Sequence, residues 1–415
     1  MRHRTGGTMG RSVDEHVREV ATLVRAAAQR RATDPPETVA VSAALAGRLA
    51  TPVRSRLDVP GFDNSQMDGF AVHAEDLARA GVTPVTLPTV AHVVAGDAVP
   101  PRLDPGTAAP IMTGAPLPPG ADAVVPVERT RPGDFGPVEG GGLVEFGEAV
   151  EPGTFLRRAG SDVEAGATVL EAGAPLTPAA IGALVVSGVA EVEVAPLLRL
   201  AVVATGAELV TGAVPDSNSS VLAAHAVSLG LPVTTHVVPD DPALLRELLD
   251  RLAVEHDVIV TTGGVSAGTR EVVRQVVEGT PGSWFGHVAV QPGGPQGLGT
   301  VRSGDHDVPI ICLPGNPVSV LVSFELFLRP ALAQAAGRVA WRPSGTSALA
   351  EPLTSPPGRL QVRRGRLGDD GRVSLVGEAG SHLAVSYARA DVLVLVPEHT
   401  TELDAGDTVE WWRIA

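Results

Sequence analysis

The 415-residue chain contains no lysine: all 32 of its basic side chains are arginine, against 47 acidic ones, and the formal net charge is −15. Without lysine there is no Gly-Lys-Ser or Gly-Lys-Thr, which excludes the Walker A way of holding a nucleotide phosphate. Cysteine is nearly absent too. The lone Cys312 excludes an internal disulfide and paired-Cys metal sites, and the eleven His show no His-Glu-x-x-His spacing, so no zinc centre is expected. Aromatic residues make up 3% of the chain and the sequence pI is near 5.2. That balance provides neither clustered cations nor stacking platforms, so nucleic acid is not an expected partner. No Gly-x-Gly-x-x-Gly opens a helix after a strand, which argues against a nicotinamide or flavin enzyme. The uncharged run 172–190 reaches membrane-spanning length, but Pro175, Pro178 and Gly182 interrupt it; it reads as a turn and a buried helix capped by Thr177. No charged n-region followed by an apolar h-region opens the chain, and a cytoplasmic protein without membrane association is the expectation.

What the chain does have is 47 Gly, 36 Pro and a 44% apolar fraction. This length predicts roughly two to four domains, with cores built from Ala, Val and Leu. Ser12 and Glu15 form a capping box for an amphipathic helix running to about Arg31. From Thr51 to Ala149, short Val-rich runs such as 91–94 and 123–127 alternate with Pro and Gly clusters, the signature of a small β-rich domain. Between Arg199 and Gly337 strands alternate with helices. Strands are expected at 200–204, 233–238, 258–262, 288–290 and 309–313, and helices near 219–229, 242–254, 270–278 and 317–335. The pattern predicts a parallel, doubly wound α/β sheet, whose ligands bind beyond the carboxyl ends of its strands. Short strands after Pro356 complete a C-terminal β unit.

Three of the α/β strands run into Gly-rich turns: Ala204-Thr205-Gly206-Ala207-Glu208-Leu209, Thr261-Thr262-Gly263-Gly264-Val265-Ser266-Ala267-Gly268 and Leu313-Pro314-Gly315-Asn316-Pro317-Val318-Ser319. In the third, Asn316 is placed as N-cap and Pro317 as first helical residue, where free amides can hold an anion. Carboxylates gather around these turns: Glu208, Asp216 (with Asn218), Asp240, Asp241 and Glu271. Such a set suits Mg²⁺, which prefers oxygen and bridges protein to substrate phosphate. Asp241, followed by Pro242, is equally an ideal helix cap.

Read in order, these turns together with Asn64-Ser65-Gln66-Met67-Asp68-Gly69-Phe70-Ala71, Ile111-Met112-Thr113-Gly114-Ala115-Pro116-Leu117-Pro118, Gly120-Ala121-Asp122-Ala123-Val124-Val125, Arg157-Arg158-Ala159-Gly160-Ser161-Asp162 and Asp216-Ser217-Asn218 resemble the molybdopterin molybdenumtransferase family, the MoeA proteins and the E domain of gephyrin. The matches are collinear from Ser12 to the C-terminus. The resemblance implies an elongated, four-domain α/β plus β protein: a discontinuous helical linker domain (11–50 and 150–197), an inserted β domain (51–149), an α/β molybdopterin-binding domain (198–337) and a C-terminal β barrel (338–415). It also implies a homodimer with its site at the subunit interface, between the α/β domain of one subunit and the inserted domain of the other. Other molybdenum-cofactor synthesis proteins and apo-molybdoenzymes would be further partners.

The implied reaction inserts molybdate into adenylyl-molybdopterin, with Mg²⁺, and releases AMP. By position, Asp68, Thr113, Asp162, Glu208, Asp241 and Glu271 would be the catalytic polar set, with Glu208, Asp241 and Glu271 holding the metal. Gly263, Gly264, Val265, Ser266, Pro314, Gly315, Asn316, Pro317 and Ser319 would hold the pterin and phosphates, with Arg157 and Arg158. The chain departs from the family pattern at four points. Gly294 replaces a Lys after Gln291-Pro292-Gly293, Pro110 replaces an Arg, Ala207 replaces an Asp, and Gly268-Thr269-Arg270-Glu271 keeps one carboxylate of two. These losses motivate an alternative, a catalytically weakened paralogue that binds pterin or acts as a scaffold.

Overall fold

Both faces of the strand Leu200–Thr205 (β1) are apolar, and all six of its residues are buried. Such a strand needs helices on either side of it. The computed structural model, which describes residues 10–90, 93, 100–135, 141–265 and 271–414, supplies them. β1 lies in a six-stranded sheet with Val233–Val238 (β2), Val258–Thr262 (β3), Trp284–His287 (β4), Pro295–Ser303 (β5) and His306–Leu313 (β6), in the order β2-β1-β3-β6-β5-β4. β2, β1, β3 and β6 are parallel, whereas β5 and β4 are antiparallel to their neighbours. The sheet is therefore mixed rather than wholly parallel. The unforeseen strand β5 contains Gly297 and Gly299. They are glycines because β-carbons there would stand 2.4 Å from the Phe285 ring and 2.3 Å from Val277 Cγ1. In place of the expected strand 288–290, Val290–Gln291 pairs with Leu360–Gln361 of the C-terminal sheet.

The helices sort by face. Leu200, Val202, Val258, Val260, Ile311 and Leu313 pack with helices Val13–Arg31 (α1), Ser217–Ser228 (α2) and Pro317–Ala335 (α5). Ala201, Val203, Ile259, Ile310 and Cys312 pack with Pro242–Glu255 (α3) and Val272–Val277 (α4). The capping box of α1 forms as expected, with Glu15 N donating to Ser12 Oγ at 3.2 Å and Ser12 N to the Glu15 carboxylate at 2.9 Å. However, Val20, Val24 and Ala27 of α1 lie in the core of the α/β sheet, against which Leu197 also packs. Among the described residues α5 is long and apolar enough to cross a membrane, and 83% of its apolar window is buried inside the protein. A π-helical turn at Phe324–Leu328 precedes Pro330 and relieves the clash a proline causes with the preceding turn.

After α5, strands Ser344–Ala348, Leu360–Leu367, Val392–Val396 and Thr408–Arg413 join Val290–Gln291 in one sheet. One edge is taken by a strand lent from the α/β region; beyond the other, Leu349 bridges Val373, whose strand Val373–Leu375 pairs with Leu360–Leu367.

Packing divides the chain into two units: one holds the chain up to Glu37 and from Ala195 onward, the other is Thr38–Val194. The second unit contains two three-stranded antiparallel sheets. In one, Gly69–Val72 is flanked by Ala109–Ile111 and Ala123–Pro126; in the other, Leu143–Phe146 is flanked by Val85–Pro88 and Thr130–Arg131. Of the expected run 91–94, only Val93 is among the described residues, and it bridges to Ile111. The helix Pro178–Val186 starts as expected, with Thr177 Oγ1 accepting from Ala180 N at 3.2 Å.

Candidate active site

The register of the sheet builds the site. Thr205 is level with Val238, Ala204 with Thr262, and Thr262 with Leu313. Four strands thus end on one line, and their turns leave side by side. In the first turn Gly206 N donates to Val238 O at 3.2 Å, and the short helix Ala207–Val210 carries Glu208. In the second, Gly263 and Gly264 both lie in the left-handed region, at φ +88° and +65°. A β-carbon on Gly264 would also come within 3.0 Å of Val273 N, so these two positions require glycine. In the third, Asn316 takes the extended N-cap conformation before Pro317, without the side-chain cap bond its residue type offers.

These turns enclose a cavity of about 450 Å³, lined by Glu208, Asp216, Asp240 and Glu271 together with Thr205, Asn218 and the glycines Gly206, Gly263, Gly264 and Gly315. Among the described residues no Arg or His lines it. Four carboxylates facing one space repel an anionic substrate unless a cation comes between. The oxygen-only donor set has the chemistry a hard divalent ion selects. Among the described residues no three acidic, His or Cys side chains converge on one point, so the protein would contribute one or two ligands and leave the rest to substrate and water.

Asp241 does not line the cavity. Its Oδ1 accepts from Ala243 N at 2.8 Å and Leu244 N at 3.2 Å, which makes it the N-cap of α3. The acidic residue that faces the cavity is its neighbour Asp240, whose Oδ2 accepts from Ala207 N at 3.4 Å and joins the β2 end to the first turn. Asp216 combines both roles, since it lines the cavity while accepting from Ser219 N at 3.0 Å as the cap of α2. Val265 and Pro314 are buried behind the turns, Ser319 is buried in the first turn of α5, and Asn316 is exposed. Ser266 and Arg270 lie outside the described residues.

The remaining expected residues belong to the second unit. Gly69 follows Asp68 and sits so close to the neighbouring strand that a β-carbon would overlap Val125 O, at 2.0 Å. This close pairing holds the end of the strand, and with it Asp68. Asp68 Oδ1 accepts from both the backbone N (2.6 Å) and Oγ1 (2.7 Å) of Thr113. These two bonds, the backbone one first, hold the Asp68 carboxyl below its ordinary pKa. Arg158 is paired with Asp63 at 2.6 Å, while Arg157 and Asp162 are exposed.

Comparison with known proteins agrees with this architecture segment by segment. Residues 11–188 match the model of the MoeA N-terminal region (domain I and II), 201–334 that of a probable molybdopterin binding domain, and 346–414 that of the MoeA C-terminal region (domain IV). The chain belongs to the MoeA family. It is 42% identical to molybdopterin molybdenumtransferase 2 of Mycobacterium tuberculosis over 97% of this chain and all of that one. It is 32% identical to the molybdopterin molybdenumtransferase of Haemophilus influenzae over 87% of this chain and 89% of that one. Two structures of the Pyrococcus horikoshii moeA protein superpose with TM-scores of 0.72 and 0.71, at 23% and 27% identity. The first covers 98% of this chain and 100% of its counterpart, the second 97% and 99%. Within this MoeA-family site, Thr205, the last residue of β1, lines the cavity; the sequence marks it only as part of the first glycine turn, because nothing identifies a strand-end threonine as a cavity wall.

Proposed function

We propose that the protein is a molybdopterin molybdenumtransferase, which inserts molybdate into adenylyl-molybdopterin and releases AMP. The observation that carries this reading is the alignment of three glycine turns over a carboxylate-lined cavity, in a chain similar over nearly its whole length to proteins of that name. The turns offer backbone N–H groups without side chains in the way, which suits close approach of phosphate and pterin oxygens. Mg²⁺, when bound, would offset the charge of the pyrophosphate group, and one or two of Glu208, Asp240 and Glu271 would hold it. The chain's own contribution is to position the phosphoanhydride that joins AMP to molybdopterin and to exclude bulk water from it.

The Asp68–Thr113 pair supports a further part of the reading. It is a fixed, ionised carboxylate on a turn of the second unit, and in an elongated four-domain homodimer it would complete the site of the other subunit. We place the enzyme in the cytoplasm, beside other molybdenum-cofactor synthesis proteins and the apo-molybdoenzymes that take its product.

The test is direct. Purified protein with Mg²⁺, molybdate and adenylyl-molybdopterin is expected to release AMP and to reconstitute a cofactor-free molybdoenzyme. Absence of both overturns the reading.

A further inference from the structure

The three turns over the cavity are stacked on one another. A β-carbon on Gly263 would stand 3.2 Å from Thr205 Oγ1, and one on Gly315 would stand 3.4 Å from the Cα of Gly263. The first, second and third turns therefore touch through backbone and a single hydroxyl, with no interlocking side chains at Gly263 or Gly315. Bare backbone contacts of this kind resist compression but not sliding, because dispersion between two glycines is small. Gly263 N donates to Leu313 O at 3.1 Å at the base of the third turn, and the side chain that ties the Gly315 end of that turn is Asn218. From the first turn of α2 its Nδ2 donates to Gly315 O at 2.8 Å, across 97 residues of sequence. Because a carbonyl only accepts, the amide nitrogen must face it. α2 is in turn anchored by its Asp216 cap, so the bond refers Gly315, and through it Gly263, to a rigid helix.

We infer that Asn218 is a positioning residue, which latches the stacked glycine turns in the arrangement that binds the pterin substrate. The inference rests on the molybdenumtransferase reading and adds a residue to it. Asn218, a lining residue of the cavity, acts in this reading through the Gly315 carbonyl. Its loss is therefore expected to appear in KM for adenylyl-molybdopterin rather than in kcat.

The experiment compares wild type with Asn218→Ala, Asn218→Asp and Asn218→His in the steady-state AMP-release assay. One well-placed hydrogen bond corresponds to roughly tenfold in affinity. Asn218→Ala is expected to raise KM by about that factor, with kcat within about twofold. Asn218→Asp, isosteric but presenting an acceptor to the Gly315 carbonyl, is expected to raise KM further. Asn218→His keeps an N–H at the same number of bonds from the backbone and is expected to restore most of the loss. A merely structural bond would lower the denaturation midpoint of all three variants without moving KM. An unmoved KM in Asn218→Ala, or a His variant no better than Ala, overturns the inference while wild-type turnover keeps the functional reading intact. A wild type that releases no AMP overturns both.

Discussion

His16 is a titratable side chain in an apolar place, and its protonation makes the sharpest quantitative prediction. It is fully buried on the inner face of α1, with its ring edge-on to Phe327 at 4.7 Å and 5.5 Å from Trp284. Its Nε2 is buried without a hydrogen-bond partner. Burial first, and the positive charge of Arg11 second, lower its pKa from 6.5 to about 3. The folded protein therefore keeps the imidazole neutral where the unfolded chain protonates it. The stability contributed by this neutral ring is fully present above the unfolded pKa and is lost as the pH falls below it. Between pH 7.5 and 5.0 the loss attributable to His16 is about 2 kcal/mol, one proton over about one and a half pH units.

His16→Phe keeps an aromatic ring and removes both the proton site and the unpaired nitrogen, so its stability at pH 7.5 is expected to stay within about 1.5 kcal/mol of wild type. All four Trp lie in the unit that contains His16. Urea unfolding followed by tryptophan fluorescence at the two pH values therefore reports that unit. His225 and His236, also shifted down by burial, contribute equally to both proteins and cancel in the comparison. Wild type is expected to lose about 2 kcal/mol more than the variant over this range. Equal losses, to within about 0.5 kcal/mol, would refute the assignment of His16 as a buried neutral ring.

Glu208→Gln and Glu271→Gln, each removing one oxygen anion from the cavity wall, are expected to lower AMP release at least tenfold and to raise the Mg²⁺ concentration needed for half-maximal rate. Asp241→Ala and Asp240→Asn separate cap from site: the first is expected to cost about 1 kcal/mol in urea unfolding with little change in turnover, the second to weaken Mg²⁺ dependence with little change in stability. Gly264→Ala forces a β-carbon against Val273 N at a left-handed backbone position; a loss of about 1 to 2 kcal/mol by thermal unfolding, with reduced turnover, is expected. Thr113→Val removes one of the two bonds to Asp68 Oδ1; carbon-detected NMR titration is expected to place the Asp68 carboxyl below 3.8 in wild type and closer to it in the variant.

The alternation of strand and helix from Arg199 to Gly337 made the sheet and its three turns legible, because strands buried on both faces leave continuous apolar runs and turns leave glycine. Strand β5 was illegible for the same reason: Gly297 and Gly299 are there to admit Phe285 and Val277, and a glycine that makes room for a ring looks, in one dimension, like a glycine that makes a turn. The place of α1 was also hidden. Its apolar stripe announces a helix with a buried face but not which core receives it. The acidic residues were legible as a group and not individually, since Asp240 and Asp241 are adjacent and identical, and only backbone direction decides which caps α3 and which faces the cavity. The buried Glu325 gave no signal either. It sits in an apolar run, and its partner Arg342, at 2.7 Å, comes from beyond the end of α5.

The same logic separates two adjacent glycines at the point where the resemblance to the MoeA proteins implies a lysine. Gly293, at φ +103°, is left-handed, and a β-carbon there would stand 3.0 Å from Ser323 Oγ, so glycine is required. Gly294 lies outside the left-handed region. A β-carbon there would find its nearest neighbours at 3.5 to 3.6 Å, ordinary van der Waals contact, while the Gly294 carbonyl accepts from Val288 N at 2.8 Å whatever side chain is present. The fold therefore does not require glycine at 294, and the loop has room for a side chain there. Because the described cavity wall holds carboxylates and no Arg or His, an anionic substrate there would rely, under the proposed function, on a divalent ion and on the N–H groups of the glycine turns. Their alignment thereby becomes the property on which binding depends.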